Sequence, residues 1–297
     1  MTVLRAVHTW GEMIKFSHSV FALPFALIAA FLAARGLPGG LPTWTHLGLI
    51  VACMVAARSF AMTFNRIADA KIDARNPRTA RRPIQAGRIS VKQAWGFLII
   101  SGLAFVAACG AFDLLCGNPW PMYLSLPVLL LLAGYSYSKR VTSMAHFMLG
   151  AAIALAPLAT WIAIDPRSLG LPVVLLSAVV LFWIAGLDII YACQDVETDR
   201  REGLFSIPAR LGVGPALLIS RLCHLVAIGL LVWTGLAAGL GWIFWAAAAL
   251  TGVLLAVEQS LVRADDLSRV NLAFFTINGC ISLLLAMGAI GDIVLAR

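Results

Sequence analysis

Six of the chain's fourteen acidic residues fall in two short stretches, 69–73 and 188–199. The first stretch lies in SFAMTFNRIADAKIDARNPRTARRPIQAG and the second in GLDIIYACQDVETDRREGLFSIPARLG. Asn65, Asp69 and Asp73 recur every four residues, which sets them along one helix face over two turns. Arg58, seven residues before Asn65, joins that face. Asp188, Tyr191, Asp195 and Asp199 follow steps of three, four and four, again one face if the helix continues. Three oxygen-bearing side chains per stripe, twice over, make a site for a hard cation.

Like charges four residues apart destabilise a helix unless something compensates them. A divalent ion carrying a polyphosphate compensates well, because Mg²⁺ takes a few carboxylates plus water and phosphate oxygens in preference to an all-protein cage. Arg66, Arg75, Arg78 and Arg82, with Lys139 and Arg140, supply positive charge for the remaining phosphate oxygens. A single Asp-x-x-x-Asp is more often a solvated loop whose acids pair with neighbouring arginines. Two such clusters, each attached to an apolar run and each followed by a similar tail, favour the cation site. Asp69 and Asp73 map onto Asp195 and Asp199, with Pro83 and Gly87 after the first pair and Pro208 and Gly212 after the second. The segments 65–87 and 188–212 are thus a weak internal repeat within one domain, 1–297.

The elements that position these groups follow from composition. The 297 residues are 61% hydrophobic and 12% charged, with mean hydropathy +0.92, whereas a soluble domain carries about 25% charged residues. Apolar runs at 16–35, 45–64, 93–112, 119–137, 144–164, 171–192, 213–235, 239–260 and 271–294 approach the roughly 20 residues that cross a hydrocarbon core. No alternating barrel pattern appears, so the backbone bonds must close within helices. The expectation is an all-α, polytopic membrane bundle of nine transmembrane helices. Disorder, a disulfide-stapled secreted fold and a nucleic-acid partner are excluded despite the net charge of +8.

The basic residues set the orientation. With the N-terminus cytoplasmic, seventeen of the twenty-two Lys and Arg residues fall in inner segments, including eight from Arg66 to Lys92. Only Arg35, Arg167 and Arg297 fall outside, and Arg58 and Arg221 lie within helices. This bias puts the C-terminus outside and both acidic stretches on the cytoplasmic face of an inner membrane. The first apolar run is a spanning helix rather than a cleaved signal, since no A-x-A site follows it. The six cysteines form no C-x-x-C pair and read as small core residues; the five histidines lack metal-ligand spacing, and His224 reads as packed or hydrogen-bonded.

The pattern NxxxDxxxD with a downstream RTxxRP, paired with DxxYxxQDxxxD, resembles the UbiA superfamily of intramembrane prenyltransferases over essentially the whole chain, including the basic pair of YSYSKR. The resemblance implies transfer of an isoprenyl chain from a polyprenyl diphosphate to an acceptor, usually aromatic, with two Mg²⁺ ions held by the two motifs. Carried over, Asn65, Asp69 and Asp73 would hold one ion with the diphosphate, and Asp188, Asp195 and Asp199 the other. Arg78 and Arg82 fall on RTxxRP and would sit over the diphosphate, with Lys139 and Arg140 as further candidates.

Breaking an allylic carbon–oxygen bond leaves a cation and a diphosphate, so positive groups should stabilise the leaving group as its charge develops. Tyr191 would stabilise the cation through its ring face or serve as an interfacial aromatic. Arg58, at a depth where an arginine costs roughly 2.5–3.5 kcal/mol, would meet an acceptor carboxylate, the diphosphate, or an acid of the first cluster. Similarity to 4-hydroxybenzoate polyprenyltransferases points to a hydroxyaryl carboxylate in ubiquinone synthesis. The QDVETD, IKFSHSVFALPFA and GLFSIPARLG segments also resemble futalosine-route menaquinone enzymes, which use a dihydroxynaphthoate. Haem, chlorophyllide and glycerol-phosphate acceptors remain the alternatives within the superfamily, and a secondary transporter the alternative outside it.

Overall fold

A computed structural model describes residues 3–15 and 21–295. All regular structure among the described residues is helical, with no strand. Seven helices among the described residues are long and apolar enough to cross a membrane. Of the nine expected spans, the one at 119–137 contains a helix of 15 residues ending at Gly134, followed by a 3-10 turn. The one at 16–35 starts outside the described residues, and its helix covers only Leu23–Ala33 before a 3-10 turn. The chain divides into two compact units, Met1–Ser19 with Gly48–Ser138, and Val20–Leu47 with Lys139–Arg297.

The first unit contains α1 (Val3–Ile14), α3 (Trp44–Ala68) from Gly48 onward, α4 (Ala70–Arg75), α5 (Val91–Cys116) and α6 (Trp120–Gly134); α2 (Leu23–Ala33) belongs to the other unit. Ala56, Phe105, Cys109 and Leu129 bring α3, α5 and α6 together. Gly102 lets α5 approach, since a Cβ there would already stand 3.3 Å from the Phe60 ring, the close approach small residues allow between membrane helices. At the other end of the unit Met13 of α1 packs with Ile89 and Ala94. Ser90 and Gln93 start α5 with a reciprocal cap, the Ser90 hydroxyl accepting from the Gln93 amide and the Gln93 side chain from the Ser90 amide, which satisfies two otherwise orphaned donors.

The second unit contains α2, α7 (Ala145–Ile164), α8 (Leu171–Ala192), α9 (Val196–Arg201), α10 (Ile207–Leu211), α11 (Val213–Ala237), α12 (Trp242–Leu261) and α13 (Asn278–Leu295). Helix α8 is its axis: α7 and α11 flank it, and Val173, Leu176, Val180, Ala185, Leu187, Ile189 and Ile190 are fully enclosed. Helix α2 lies on α7 and α13, and α12 lies on α13. Outward positions are equally apolar, with Leu103, Leu130, Leu225 and Met287 all exposed. In water such a surface would be costly; against lipid it is neutral.

Candidate functional site

The first acidic motif is built at a helix break. Helix α3 ends at Ala68 and α4 begins at Ala70, so Asp69 sits between them with φ −91° and ψ 7°. The helical ladder nevertheless crosses the break, since the Asp69 amide donates to Asn65 O at 2.9 Å and the Asp73 amide to Asp69 O at 2.8 Å. The four-residue spacing read from the sequence is thereby kept. Asn65 Nδ2 donates to Asp69 Oδ2 at 3.4 Å, and both Asp69 and Asp73 are buried.

The loop after α4 folds back on the motif. Thr79 donates through its hydroxyl to Asp73 O at 2.8 Å, and the Asn76 side chain accepts from the Arg78 amide, a local turn typical of Asn. This return brings Arg82 Nη1 to 2.5 Å from Asp73 Oδ2, with Arg66 Nη1 at 4.0 Å. Gly87 closes the loop at φ 68°, where a side chain would be strained.

Positive charge exceeds negative charge around this motif. The Lys15 ammonium is pushed down to about 8, first by burial and then by the guanidinium groups of Arg66, Arg82, Arg78 and Arg58. Arg58 does not meet an acid of the first cluster; its Nη2 donates to the Lys15 carbonyl at 3.0 Å. Its Nε is buried with no hydrogen-bond partner among the described residues. Five cations held together with a depressed ammonium among them form a setting that an anion would relieve.

The second motif repeats the break. Helix α8 ends at Ala192, a 3-10 turn covers Cys193–Asp195, and α9 starts at Val196. Asp195 has φ −110° and ψ 8°, close to the values at Asp69. Asp199, like Asp73, is the buried fourth residue of a six-residue helix. Ser206 caps α10 by accepting from the Ala209 amide and hydrogen-bonds the Asp199 carboxylate. Lys139, whose carbonyl accepts from the Phe205 amide at 2.7 Å, is within electrostatic reach of Asp199, and Arg140 follows it at the end of the same 3-10 turn. Gly212 ends the segment at φ 86°. The Tyr191 ring packs on Phe274, with centroids 4.4 Å apart.

Asp188 has a partner that the sequence did not disclose. His146 Nδ1 stands 2.7 Å from Asp188 Oδ2, and His146 Nε2 accepts from the Ile207 amide at 3.2 Å. Because a backbone amide can only donate, Nε2 holds the lone pair and Nδ1 carries the proton given to Asp188. A neutral imidazole thus fixes the carboxylate's rotamer. His146 is 42 positions away, and no local pattern points to it. His224 is buried and hydrogen-bonded, in keeping with the sequence reading, and the six cysteines are free.

No three His, Cys, Asp or Glu side chains among the described residues converge into a closed metal cage. The donors present are two carboxylates and an amide at Asn65–Asp73, and the carboxylates of Asp188, Asp195 and Asp199 in the second motif. Such an open set of oxygen donors suits Mg²⁺ completed by phosphate oxygens and water.

Comparison with known proteins places the chain among prenyltransferases. The UbiA prenyltransferase family model matches residues 22–280. The chain is 31% identical over 255 residues to the 4-hydroxybenzoate octaprenyltransferase of Saccharophagus degradans, covering 85% of this chain and 82% of the relative. It is 29% identical to the Vibrio vulnificus protein of the same name, covering 88% of each. Among solved structures, the apo form of a UbiA homolog from Aeropyrum pernix superposes with a TM-score of 0.81 at 32% identity, covering 93% of this chain and 98% of that one. A UbiA homolog from Archaeoglobus fulgidus bound to GPP and Mg²⁺ shares the fold, with a TM-score of 0.73 at 20% identity and coverage of 96% and 99%.

Proposed function

We propose, since the chain belongs to the UbiA prenyltransferase family, that this prenyltransferase moves a polyprenyl group from its diphosphate to a ring carbon of a hydroxyaryl carboxylate, 4-hydroxybenzoate first, in quinone synthesis. The observation that carries the reading is the pair of matching helix breaks at Asp69 and Asp195, each presenting a buried aspartate one turn later. Asn65, Asp69 and Asp73 would hold one Mg²⁺ ion with diphosphate oxygens, and Asp188, Asp195 and Asp199 a second. Bound magnesium would draw electron density from the leaving diphosphate as the allylic bond breaks.

The chain's own groups do the rest. Lys15, Arg58, Arg66, Arg78 and Arg82 neutralise the diphosphate as its charge grows, and Lys139 and Arg140 add to this. Arg82 exchanges part of its bond to Asp73 for phosphate oxygens, which frees the carboxylate for the ion. Tyr191 offers a ring face to the allyl cation, and the apolar helices keep water from it. The acceptor ring attacks the cation and loses a proton. The whole chain, 1–297, acts as one domain in the inner membrane with its N-terminus and both motifs cytoplasmic and its C-terminus outside. Trp44, Trp120 and Trp242 support this orientation, since each opens a helix whose far end is followed by basic residues, as interfacial tryptophans do.

The test is direct. Membranes holding the protein are incubated with a labelled prenyl diphosphate and either 4-hydroxybenzoate or 1,4-dihydroxy-6-naphthoate, with and without EDTA. Label on the benzoate, lost with EDTA and restored by magnesium, is expected; Asp69→Ala and Asp195→Ala should each abolish it while the protein stays inserted. Label on the naphthoate alone would overturn the choice of acceptor, and chelator-insensitive transfer would remove the metal from the account.

A further inference from the structure

Beneath the second acidic motif lies a polar group of side chains that the chemistry above does not use. Glu258, near the end of α12, has no exposed surface, and ionisable residues inside apolar helices are rare and mark functional interiors. Its Oε1 accepts from Asn278 Nδ2 at 2.9 Å. The same nitrogen donates to Ala273 O at 2.8 Å, and Asn278 Oδ1 accepts from the Trp183 indole N–H at 2.7 Å. Trp183 stands on α8 five residues before Asp188, about 7.5 Å along the helix axis.

The backbone held in this way is a π-helical turn, Leu272–Ile277, a form found mostly as single wide turns and frequently at functional sites. It carries Phe274 and Phe275 to Tyr191, with ring centroids 4.4 and 6.2 Å away. Phe274 meets Phe21 at 5.6 Å, and Phe21 meets Trp183 at 6.3 Å. A row of rings therefore runs from Tyr191, on the acidic stripe, to Trp183. Trp183, at one end of that row, is bonded to the Asn278 amide directly, Phe274 is held through the carbonyl of its neighbour Ala273, and the amide is tied to Glu258.

The surrounding bonds show what Glu258 contributes. Its Oε2 has no hydrogen-bond partner among the described residues and lies 3.8 Å from His224 Nδ1. That nitrogen is already committed. His224 Nε2 faces the Trp183 carbonyl at 3.3 Å, which can only accept, so Nε2 carries the ring proton and Nδ1 takes a hydrogen from Gln259 Nε2 at 2.9 Å. With no donor left for Oε2, the site suits a neutral carboxylic acid and not a carboxylate. What it uses is the Oε1 acceptor and the shape of the side chain.

We propose that Glu258 and Asn278 are positioning residues: through Trp183 and the π turn they fix the Tyr191–Phe274 wall, and so decide whether the allyl cation is captured by the acceptor ring or by water. This rests on the prenyl-transfer reading. When the allylic carbon–oxygen bond breaks, its electron pair leaves with the diphosphate. The cation then bonds to a ring carbon, which loses its proton, or to a water oxygen, which loses a proton and yields a free prenol. A wall that stays in place keeps water out; one that shifts admits it.

The experiment gives purified full-length protein labelled geranyl diphosphate, magnesium and 4-hydroxybenzoate, or the naphthoate if that is the acceptor, and counts prenylated acid and free geraniol in the same sample. Asn278→Leu and Glu258→Leu should raise the ratio of geraniol to prenylated acid about tenfold, while Glu258→Gln, which keeps the acceptor oxygen without a charge, should stay within about twofold of wild type. Trp183→Phe keeps an aromatic side chain and removes the indole N–H with its five-membered ring, so it should move the ratio the same way even if the leucine variants do not fold. A loss of folded protein lowers both products together and leaves the ratio unchanged. Wild-type ratios in folded Trp183→Phe, or a Glu258→Gln shift as large as that of Glu258→Leu, would overturn the inference. A wild-type chain that prenylates neither acid would overturn the prenyl-transfer reading and this inference with it, whereas an active wild type with unmoved variants overturns the inference alone.

Discussion

Lys15 gives the sharpest test of the proposal that the first motif holds a diphosphate. Burial and the guanidinium groups of Arg66, Arg82, Arg78 and Arg58 push its ammonium down to about 8, against about 10.4 for a free lysine. The sign follows directly: the cation is present below pH 8 and is lost above it. With that midpoint Lys15 is charged in about nine-tenths of molecules at pH 7 and about one-tenth at pH 9, so kcat/KM for the prenyl diphosphate should fall about tenfold across that range, since this parameter reports groups of the free enzyme. A bound diphosphate raises the Lys15 pKa again, so kcat should stay nearly level. The substrate's own phosphate ionisation lies lower, near pH 6, and does not overlap. Lys15→Arg carries a charge that does not titrate here and should flatten the profile. Initial rates with labelled geranyl diphosphate at saturating acceptor measure it. A wild-type kcat/KM that is constant from pH 7 to 9, or a Lys15→Arg variant that falls as steeply, would refute the reasoning.

Other perturbations probe the rest of the site. His146→Ala removes the hydrogen bond that orients Asp188, and loss of such a partner typically costs a metal site about 10–100-fold in affinity; the magnesium concentration for half-maximal rate should rise by that order, with the protein still folded. Arg58→Leu should raise the KM of one substrate and not the other, measured by varying each in turn. Gly186→Ala places a Cβ 2.6 Å from the His224 ring, an overpacking that should cost about 1–3 kcal/mol, seen as a lower midpoint in thermal unfolding in detergent.

Much of the motif geometry was legible because it is local. Four-residue spacing requires only a helix, and the ladder from Asn65 through Asp69 to Asp73 keeps it across a break that no propensity in NRIADAKID signals. The same limit applied to lengths: a hydropathy run at 119–137 cannot tell a helix that stops at Gly134 from one that continues, because hydropathy does not distinguish an α-helix from the 3-10 turn that starts at Tyr135. Arg82 was read as a diphosphate ligand from its motif, but its bond to Asp73 depends on how the Thr79 turn returns the loop to α4. Glu258 did carry a sequence signal, a carboxyl inside an apolar run, yet its meaning rests on Asn278, twenty positions on.

Composition and spacing by themselves determined the helical class, the membrane setting and the two acidic motifs, since each depends on residues within a few turns of one another. Only the tertiary structure decided which groups meet: Lys15 with the arginines of the first motif, His146 with Asp188 over 42 positions, and Trp183 with Asn278 over 95. The physical reason is that a hydrogen bond is fixed to a few tenths of an ångström, and in helices packed side by side that precision comes from the crossing of whole elements and not from the order of residues along any one of them.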